Sequence, residues 1–466
     1  MNTLLLQVLY LVAAALFILG LRQLSSPKSA RRGNWTAALG MVIALGATVV
    51  DRALAGGFTG AGIAISVIGV AIGAVVGTVG ARRVQMTAMP QMVALFNGVG
   101  GGAAALVAVY ELLHFPLHPA FADMFPSAFS IVVGGISFAG SCVAFAKLQE
   151  LMTGRPLTYP GQQVVNGLIV LAILGSGVYL LGFGNVPAWF VALLVLSLLL
   201  GVAFVLPIGG ADMPVVISLL NAFTGLAVAA SGFVLHNFAL IVAGTLVGAS
   251  GTLLTKMMSD AMGRSIANVL FAAVGSPVAG PEAAAGAEGR TVRSGSADDI
   301  GTMLAYSRRV IIVPGYGLAV AQAQHVAREL ADQLEKKGVQ VDYAIHPVAG
   351  RMPGHMNVLL AEANVPYEQL KEMDEINDEF KQADVALVVG ANDVVNPAAR
   401  NTPGSPIYGM PILNVDEAKN IVFLKRSMRP GFAGIDNELL YDPKTIMLFG
   451  DAKDSLTKLV AAVKAA

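Results

Sequence analysis

Residues 310–324 read VIIVPGYGLAVAQAQ. Four β-branched residues in a row, then Pro-Gly-Tyr-Gly, then an alanine-rich run describe a buried strand that stops at a glycine turn and passes into a helix. Gly315, Gly317 and Val320 form a GxGxxV arrangement at that junction. Glycines there permit a tight turn and a close backbone approach to a pyrophosphate, whose charge the helix N-terminus favours. A glycine turn in any α/β domain looks the same, so the motif gains weight only from its surroundings.

Downstream, short β-rich runs alternate with helical patterns: Arg309–Val313, Leu318–Lys337, Val341–His346, Tyr367–Phe380, Val385–Val389, Ile421–Leu424, Thr445–Phe449 and Ser455–Ala466. Such alternation argues for an α/β, Rossmann-like, doubly wound and mostly parallel sheet over residues 301–466. In a unit that prefers NAD, an acidic residue ending the second strand binds the ribose 2′-hydroxyl. Here that strand, VDYAIHP at 341–347, ends in His346 and Pro347, with Arg351 close behind and Lys425, Arg426 and Arg429 after a later strand. Positive charge in place of the carboxylate favours a 2′-phosphate, hence NADP over NAD. Lys425-Arg426 also fits an ordinary solvated basic pair, and His346 and His355 fit structural loop roles as well as functional ones.

Upstream the chemistry changes. Of the 60 Asp, Glu, Lys and Arg residues only 17 precede residue 276, and mean hydropathy over the whole chain is +0.68. Residues 1–21, 33–50, 53–81, 84–110 and 124–146 are free of charge, and each is about one membrane thickness long. Residues 156–211 and 213–255 are charge-free over two thicknesses each, with breaks near Gly182–Pro187 and His236–Asn237. The expectation is an all-α polytopic bundle of nine spans over residues 1–265, followed by a Gly-, Ala-, Pro- and Ser-rich linker over 266–300.

One set of alternate loops carries Arg22, Lys28, Arg31, Arg32, Arg82, Arg83, Lys147, Arg155, Lys256 and Arg264, and the opposite set only Arg52. Basic residues collect on the cytoplasmic side, which places the N-terminus outside and the C-terminal domain in the cytoplasm. The first span lacks a basic segment before it and reads as retained, not as a signal peptide. A formal net charge of zero offers no field for nucleic acid. The single cysteine, Cys142, excludes an intrachain disulfide and a cysteine metal cluster, and no metal site is expected.

Beyond 314–324, the runs HPVAGRMPGHMNVLLAEANVPY (346–367), EMDEINDEF (372–380), GANDVVNPAA (390–399), VFLKRSM (422–428) and FGDAK (449–453) follow in order. Together they resemble the NADP(H)-binding domain of proton-translocating NAD(P)+ transhydrogenase, and the similarity extends through the membrane half to make the chain similar to that family's beta subunit. The resemblance implies NADP(H) contacts at Tyr316, at Val348, Ala349, Gly350, Arg351, Met352 and Pro353, and at Gly390, Ala391, Asn392, Asp393 and Val394. It implies further contacts at Gly409 and Met410, at Lys425, Arg426, Ser427, Met428, Arg429, Pro430, Gly431 and Phe432, and at Asp451 and Ala452. Lys425, Arg426 and Ser427 would hold the 2′-phosphate, with the following glycine-rich loop as a lid. Many relatives have Tyr where this chain has Phe432, which removes one hydroxyl from that lid. The resemblance also implies a separate alpha subunit, of one chain or two, that binds NAD(H), supplies the remaining membrane helices and pairs into a dimer of complexes. Hydride then passes directly between nicotinamide rings, so no side-chain acid or base is expected.

Polar residues inside spans are costly, and helix–helix hydrogen bonding is their ordinary use. Asn97, Ser137, Ser141, Asn166, Asn221 and Thr224 are of this kind, and Asp212 breaks an otherwise charge-free run of about 100 residues. The resemblance raises Asn97, Ser141, Asp212, Asn221 and Arg264 to a proton path and its cytoplasmic exit. Many relatives have a titratable His at the position of Asn97, whose amide does not change protonation state near neutral pH. Asp393 is expected to link cofactor redox state to that exit through Asp212 and Arg264. The implied function is a Re/Si-specific proton-translocating transhydrogenase of the bacterial inner membrane; the alternative is an NADPH-sensing ion transporter or channel.

Overall fold

The computed structural model describes residues 3–24, 27–54, 59–85, 88–116, 120–149, 151–152, 157–184, 186–209, 212–261, 265–271, 291–350, 354–403, 405, 407–431 and 433–466. The chain divides into two compact units, Met1–Thr255 and Lys256–Ala466.

The charge-free stretches fold as long helices: α1 Thr3–Leu24, α2 Pro27–Leu54, α3 Gly60–Arg83, α4 Met89–His114, α5 Phe121–Leu148, α6 Gln162–Phe183, α7 Pro187–Val205, α8 Met213–Val234 and α9 Phe238–Ala261. Among the described residues nine helices have the length and hydropathy to cross a membrane, as the charge pattern implied. Proline at the first turn of α4, α7 and α8 starts each helix where a backbone N–H would have no intrahelical partner. Gly184, at φ +94°, stops α6.

Lipid is as apolar as leucine, so helices in a membrane associate through close packing and hydrogen bonds. α8 and α9 cross at glycine: a Cβ on Gly225 would lie 2.4 Å from the Gly248 nitrogen, and one on Gly244 would lie 2.4 Å from the Ala229 nitrogen. α4 and α5 cross in the same way, with a Cβ on Gly134 falling 2.5 Å from the Gly101 carbonyl oxygen. By contrast, α3 buries none of its residues among the described ones.

The second unit contains α10 Ile266–Phe271, α11 Ala297–Ala305, β1 Arg309–Pro314, α12 Tyr316–Val320, α13 Gln324–Lys336, β2 Gln340–Ile345, α14 His355–Glu362, β3 Leu370–Glu372, α15 Met373–Ile376, β4 Val385–Val389, α16 Ala398–Asn401, β5 Asn420–Lys425, β6 Thr445–Phe449 and α17 Ala452–Ala465. The strands form one parallel sheet in the order β3-β2-β1-β4-β5-β6, the doubly wound order whose direction reverses between β1 and β4. Val310 stands opposite Val341 on one side and Val385 on the other. Every residue of β4 is buried, as befits a central strand covered on both faces. Ile311, Val313, Val388, Phe423 and Met447 share one core with Phe380 and Leu413, each worth roughly 1.5–3 kcal/mol of burial.

Two helical patterns differ from their reading in the sequence. The run Leu318–Lys337 is interrupted at Ala321–Ala323, where Gln322 adopts φ +50°, so α12 and α13 are separate helices. The run Tyr367–Phe380 contributes an edge strand, because Leu370–Glu372 pair with Tyr343–Ile345, and only short helical turns follow. Sheet pairing there overrides a local helical preference. Of the expected linker, residues 272–290 lie outside the described residues, while Ser294 bridges to Met447 and Ser296 caps α11 through the Asp299 N–H.

At the start of the sheet Arg309 is 13% exposed and donates to Asp342, itself 8% exposed, at 2.7 Å, and also to Glu379. Hydrogen bonds and charge from both carboxylates outweigh the desolvation of the guanidinium and hold it more firmly protonated.

Candidate functional site

The reversal between β1 and β4 opens a crevice at the C-terminal ends of the strands. Gly315 N–H donates to the Val389 carbonyl and Gly317 N–H to the Gly390 carbonyl, both at 2.9 Å. The turns touch backbone to backbone: a Cβ on Gly315 would stand 2.4 Å from the Ala391 nitrogen, and one on Gly317 would stand 2.7 Å from the Gly390 Cα. Gly390 has φ +71°, a left-handed conformation that glycine adopts without penalty. Gly315 caps α12, and Tyr316 begins it, with its ring centroid 6.3 Å from that of His355. Val320 ends α12 and is 47% exposed.

The other expected cofactor residues gather at the same end of the sheet. Val348, Ala349 and Gly350 follow β2, Gly390 to Val394 follow β4, Lys425 to Gly431 follow β5, and Asp451 and Ala452 open α17 after β6. Asp451 accepts from the Lys453 N–H at 2.9 Å and so caps α17. Gly409, at φ +83°, and Met410 are brought to this end through their neighbour Pro411, whose carbonyl meets His346. Arg351, Met352, Pro353, Phe432 and Arg264 lie outside the described residues.

Asp393 fastens two of these segments. Its Oδ2 accepts from the Ala433 N–H at 2.8 Å, and its Oδ1 accepts from the Asn392 side chain at 2.9 Å. Asn437, 1% exposed, donates to the Asn392 carbonyl from below; its role depends on a long-range backbone contact that sequence spacing does not reveal. Lys425 donates to the Arg429 carbonyl at 2.8 Å and makes no salt bridge among the described residues. Desolvation lowers its pKa, partly opposed by the more distant Asp436 and Asp393. Arg426, Ser427, Arg429 and Pro430 are exposed, while Met428 packs on the core.

These residues fit a dinucleotide. The glycine turns bring backbone to the crevice with no Cβ in the way, the Asn392 Oδ1 is buried with no hydrogen-bond partner among the described residues, and the Lys425 ammonium, its pKa lowered by desolvation, stands at the end of β5.

His346 ties the loop after β2 to the Gly409 segment. The Val348 N–H donates to Nδ1 at 3.2 Å, so Nε2 carries the proton and donates to the Pro411 carbonyl at 2.8 Å. Burial depresses its pKa to about 4. A depressed folded pKa means that the unfolded chain takes up the proton first, so this stabilisation is complete above about pH 6.5 and is lost as pH falls toward 4. Unfolding of this unit should show a loss of roughly 3 kcal/mol across that window, and the His346→Gln variant should lack that part of the pH slope.

In the membrane unit the structure brings together Asn97, Ser137, Ser141 and Thr224 from α4, α5 and α8. Asn97 Nδ2 donates to Ser141 Oγ at 3.0 Å and to Ser137 Oγ at 3.3 Å. Ser137 Oγ donates to the Leu220 carbonyl at 2.9 Å and shares a 2.6 Å contact with Thr224 Oγ1. Thr224 Oγ1 also lies 3.4 Å from the Asn97 carbonyl, to which it can donate. The Asn97 Oδ1 is buried without a partner among the described residues. Asn221 is half-buried one turn along α8 from Thr224, and Asp212 is half-buried at the N-cap of α8.

Sequence reasoning missed two features here. Lys147, read as a loop charge, is 3% exposed and donates to the carbonyls of Val205, Leu206 and Ile208, the first two at the end of α7, at 3.3, 2.5 and 2.8 Å. Ser130 and Ser231 meet at 2.8 Å. The signal for them was present, because each lies seven residues from a member of the first cluster, Ser137 and Thr224 respectively.

A bundle of membrane-spanning helices joined to a doubly wound sheet with a glycine crevice defines a membrane protein with a nucleotide-binding domain. The family model described as NAD(P) transhydrogenase beta subunit matches residues 6–462, and the chain belongs to that family. Two relatives named NAD(P) transhydrogenase subunit beta, one from Rhodospirillum rubrum and one from a designated strain of that organism, are each 49% identical over 462 residues. Each match covers 97% of this chain and 98% of the relative.

Proposed function

We propose that this chain binds NADP(H) and, with an alpha subunit carrying NAD(H), couples inward proton flow across a bacterial inner membrane to hydride transfer from NADH to NADP+. The observation that carries the reading is the crevice between β1 and β4, where Gly315, Gly317 and Gly390 approach backbone to backbone, with the buried Asn392 Oδ1, which has no partner among the described residues, in the segment that follows β4. Bound NADP+ supplies the hydride acceptor. The Gly315 turn and α12 receive its pyrophosphate, Lys425, Arg426 and Ser427 its 2′-phosphate, and Asp393 fastens the loop beyond Arg429 through Ala433. Preference for NADP rests on His346 and Pro347 standing where a carboxylate would serve NAD.

The Asn97–Ser141–Ser137–Thr224 cluster supports a proton path, with Asn221 beside it, Asp212 and Arg264 toward the cytoplasmic exit, and the N-terminus outside. Asp393 reports redox state toward that exit, and by linkage a proton on the path shifts the balance between NADP+ and NADPH. The complex pairs as a dimer. Replacing Asp393 by Asn keeps the side-chain volume and one acceptor oxygen but removes the charge and one of its two accepted hydrogen bonds, so proton-coupled turnover should fall about tenfold or more, while unfolding shifts by only the roughly 1–3 kcal/mol of that bond. Unchanged coupled rates would take Asp393 out of the mechanism.

The test is NADH-driven reduction of an NADP+ analogue in proteoliposomes that contain this chain and an alpha partner, with internal pH recorded. Reduction with matching, uncoupler-sensitive proton movement supports the pump. Hydride transfer without proton movement keeps the enzyme and refutes the path, and no transfer favours an NADPH-sensing transporter.

A further inference from the structure

Ser130, 0% exposed on α5, and Ser231, 4% exposed on α8, form a second hydroxyl layer. Ser130 Oγ lies 3.1 Å from the Ala227 carbonyl and 3.3 Å from that of Ala104, and Ser231 Oγ lies 3.5 Å from the latter. The layer repeats the Ser137–Thr224 pair seven residues away on both helices, about 10 Å along the axis at 1.5 Å per residue. Proton hopping needs neighbours at hydrogen-bond distance, roughly 2.7 Å apart.

Nothing on the three helices spans that interval. Residues 98–109 of α4, 131–136 of α5 and 225–230 of α8 carry no side chain that hydrogen-bonds. Gly101 and Gly134 close it backbone on backbone: a Cβ on Gly134 would fall 2.5 Å from the Gly101 oxygen and 3.1 Å from the Ala105 nitrogen. Space too small for a methyl group does not admit water. The two sides of this contact also differ. The Ser130 and Ser231 hydroxyls are satisfied by protein groups, whereas Asn97 Oδ1 and, further toward the start of α4, Gln91 Oε1 are buried with no partner among the described residues, as expected where water completes a site.

We propose that Ser130 and Ser231 form an outer station of the proton path and that the Gly101–Gly134 contact is the dry barrier separating it from the inner station at Asn97. The proposal rests on the proton-path reading above. Conduction then requires α4 and α5 to part at these glycines, which admits the two or three waters that the interval needs.

The test uses the assembled complex in proteoliposomes, in a Cys142→Ser background, with Ser130→Cys or Ser141→Cys and a charged, membrane-impermeant thiosulfonate that reacts with thiolate in water. Ser130→Cys should react from the outer face only and Ser141→Cys from the cytoplasmic face only, with at least tenfold discrimination. Ser130→Cys that is unreactive from outside, or reactive from the cytoplasm, overturns the proposal. Adding Gly134→Ala should open Ser130→Cys to the cytoplasmic reagent; if that protein does not assemble, the two single positions decide alone. Labelling is read without turnover. One-sided labelling in a complex that moves no protons would therefore refute the pumping reading while the barrier itself stood.

Discussion

Gly390→Ala should abolish NADP(H) retention and destabilise the nucleotide domain by about 4 kcal/mol or more. Two independent costs add at this position. A φ of +71° is strained for any residue with a Cβ, by about 1–2 kcal/mol. The new methyl would also lie 2.4 Å from the Leu318 nitrogen and 2.5 Å from the Gly317 Cα. Those atoms are backbone, on a turn already pressed against Ala391, so relief by a rotamer change is not available. The Gly315–Gly317 turn would move away from β4, and the crevice would lose its shape. Nucleotide binding by fluorescence together with a denaturation midpoint checks this; tight NADPH binding by the variant would show that the turns do not set the site.

Arg309→Ala should cost about 3–5 kcal/mol, because it leaves Asp342 as a buried charge without its guanidinium. Gln340 also donates to Asp342, at 3.1 Å, but a neutral amide replaces little of a cation's stabilisation. Removing both members should be milder: Arg309→Met with Asp342→Leu is expected to recover much of the loss, since an apolar pair of similar volume carries no desolvation cost. A double-mutant cycle by urea unfolding measures the coupling. Additive single effects would show that the pair is not an energetic unit. The nucleotide site lies at the opposite ends of the strands, so NADP(H) affinity in the folded fraction should be unchanged.

The membrane half was legible because one strong rule governs it. A central charge costs a spanning helix several kcal/mol, so charge-free lengths, split at the Gly182–Pro187 and His236–Asn237 breaks, locate α1 to α9, although the helix ends run on over flanking charges. Gly315 and Gly317 were legible for a similar reason, since a backbone approach tolerates one residue type. What touches them was not. Gly390 meets them across 73 residues of chain, and only the sheet order brings β4 beside β1. The partners of His346, Asn437 and Lys147 escaped because each satisfies a backbone carbonyl far away in sequence, and a carbonyl leaves no mark on residue type. The edge strand Leu370–Glu372 was hidden by its brevity; three residues hold no readable period.

Lys147 also fixes an order of events in the making of the protein. Among the described residues its ammonium is satisfied by carbonyls of residues 205, 206 and 208, about 60 residues further along the chain. While the ribosome is still producing α6, that cation has no partner in the bundle and belongs in the interfacial water, where a long side chain can snorkel. α5 should therefore settle to its final depth only after α7 arrives, and a nascent chain halted between them should leave Lys147 reactive to an aqueous amine reagent.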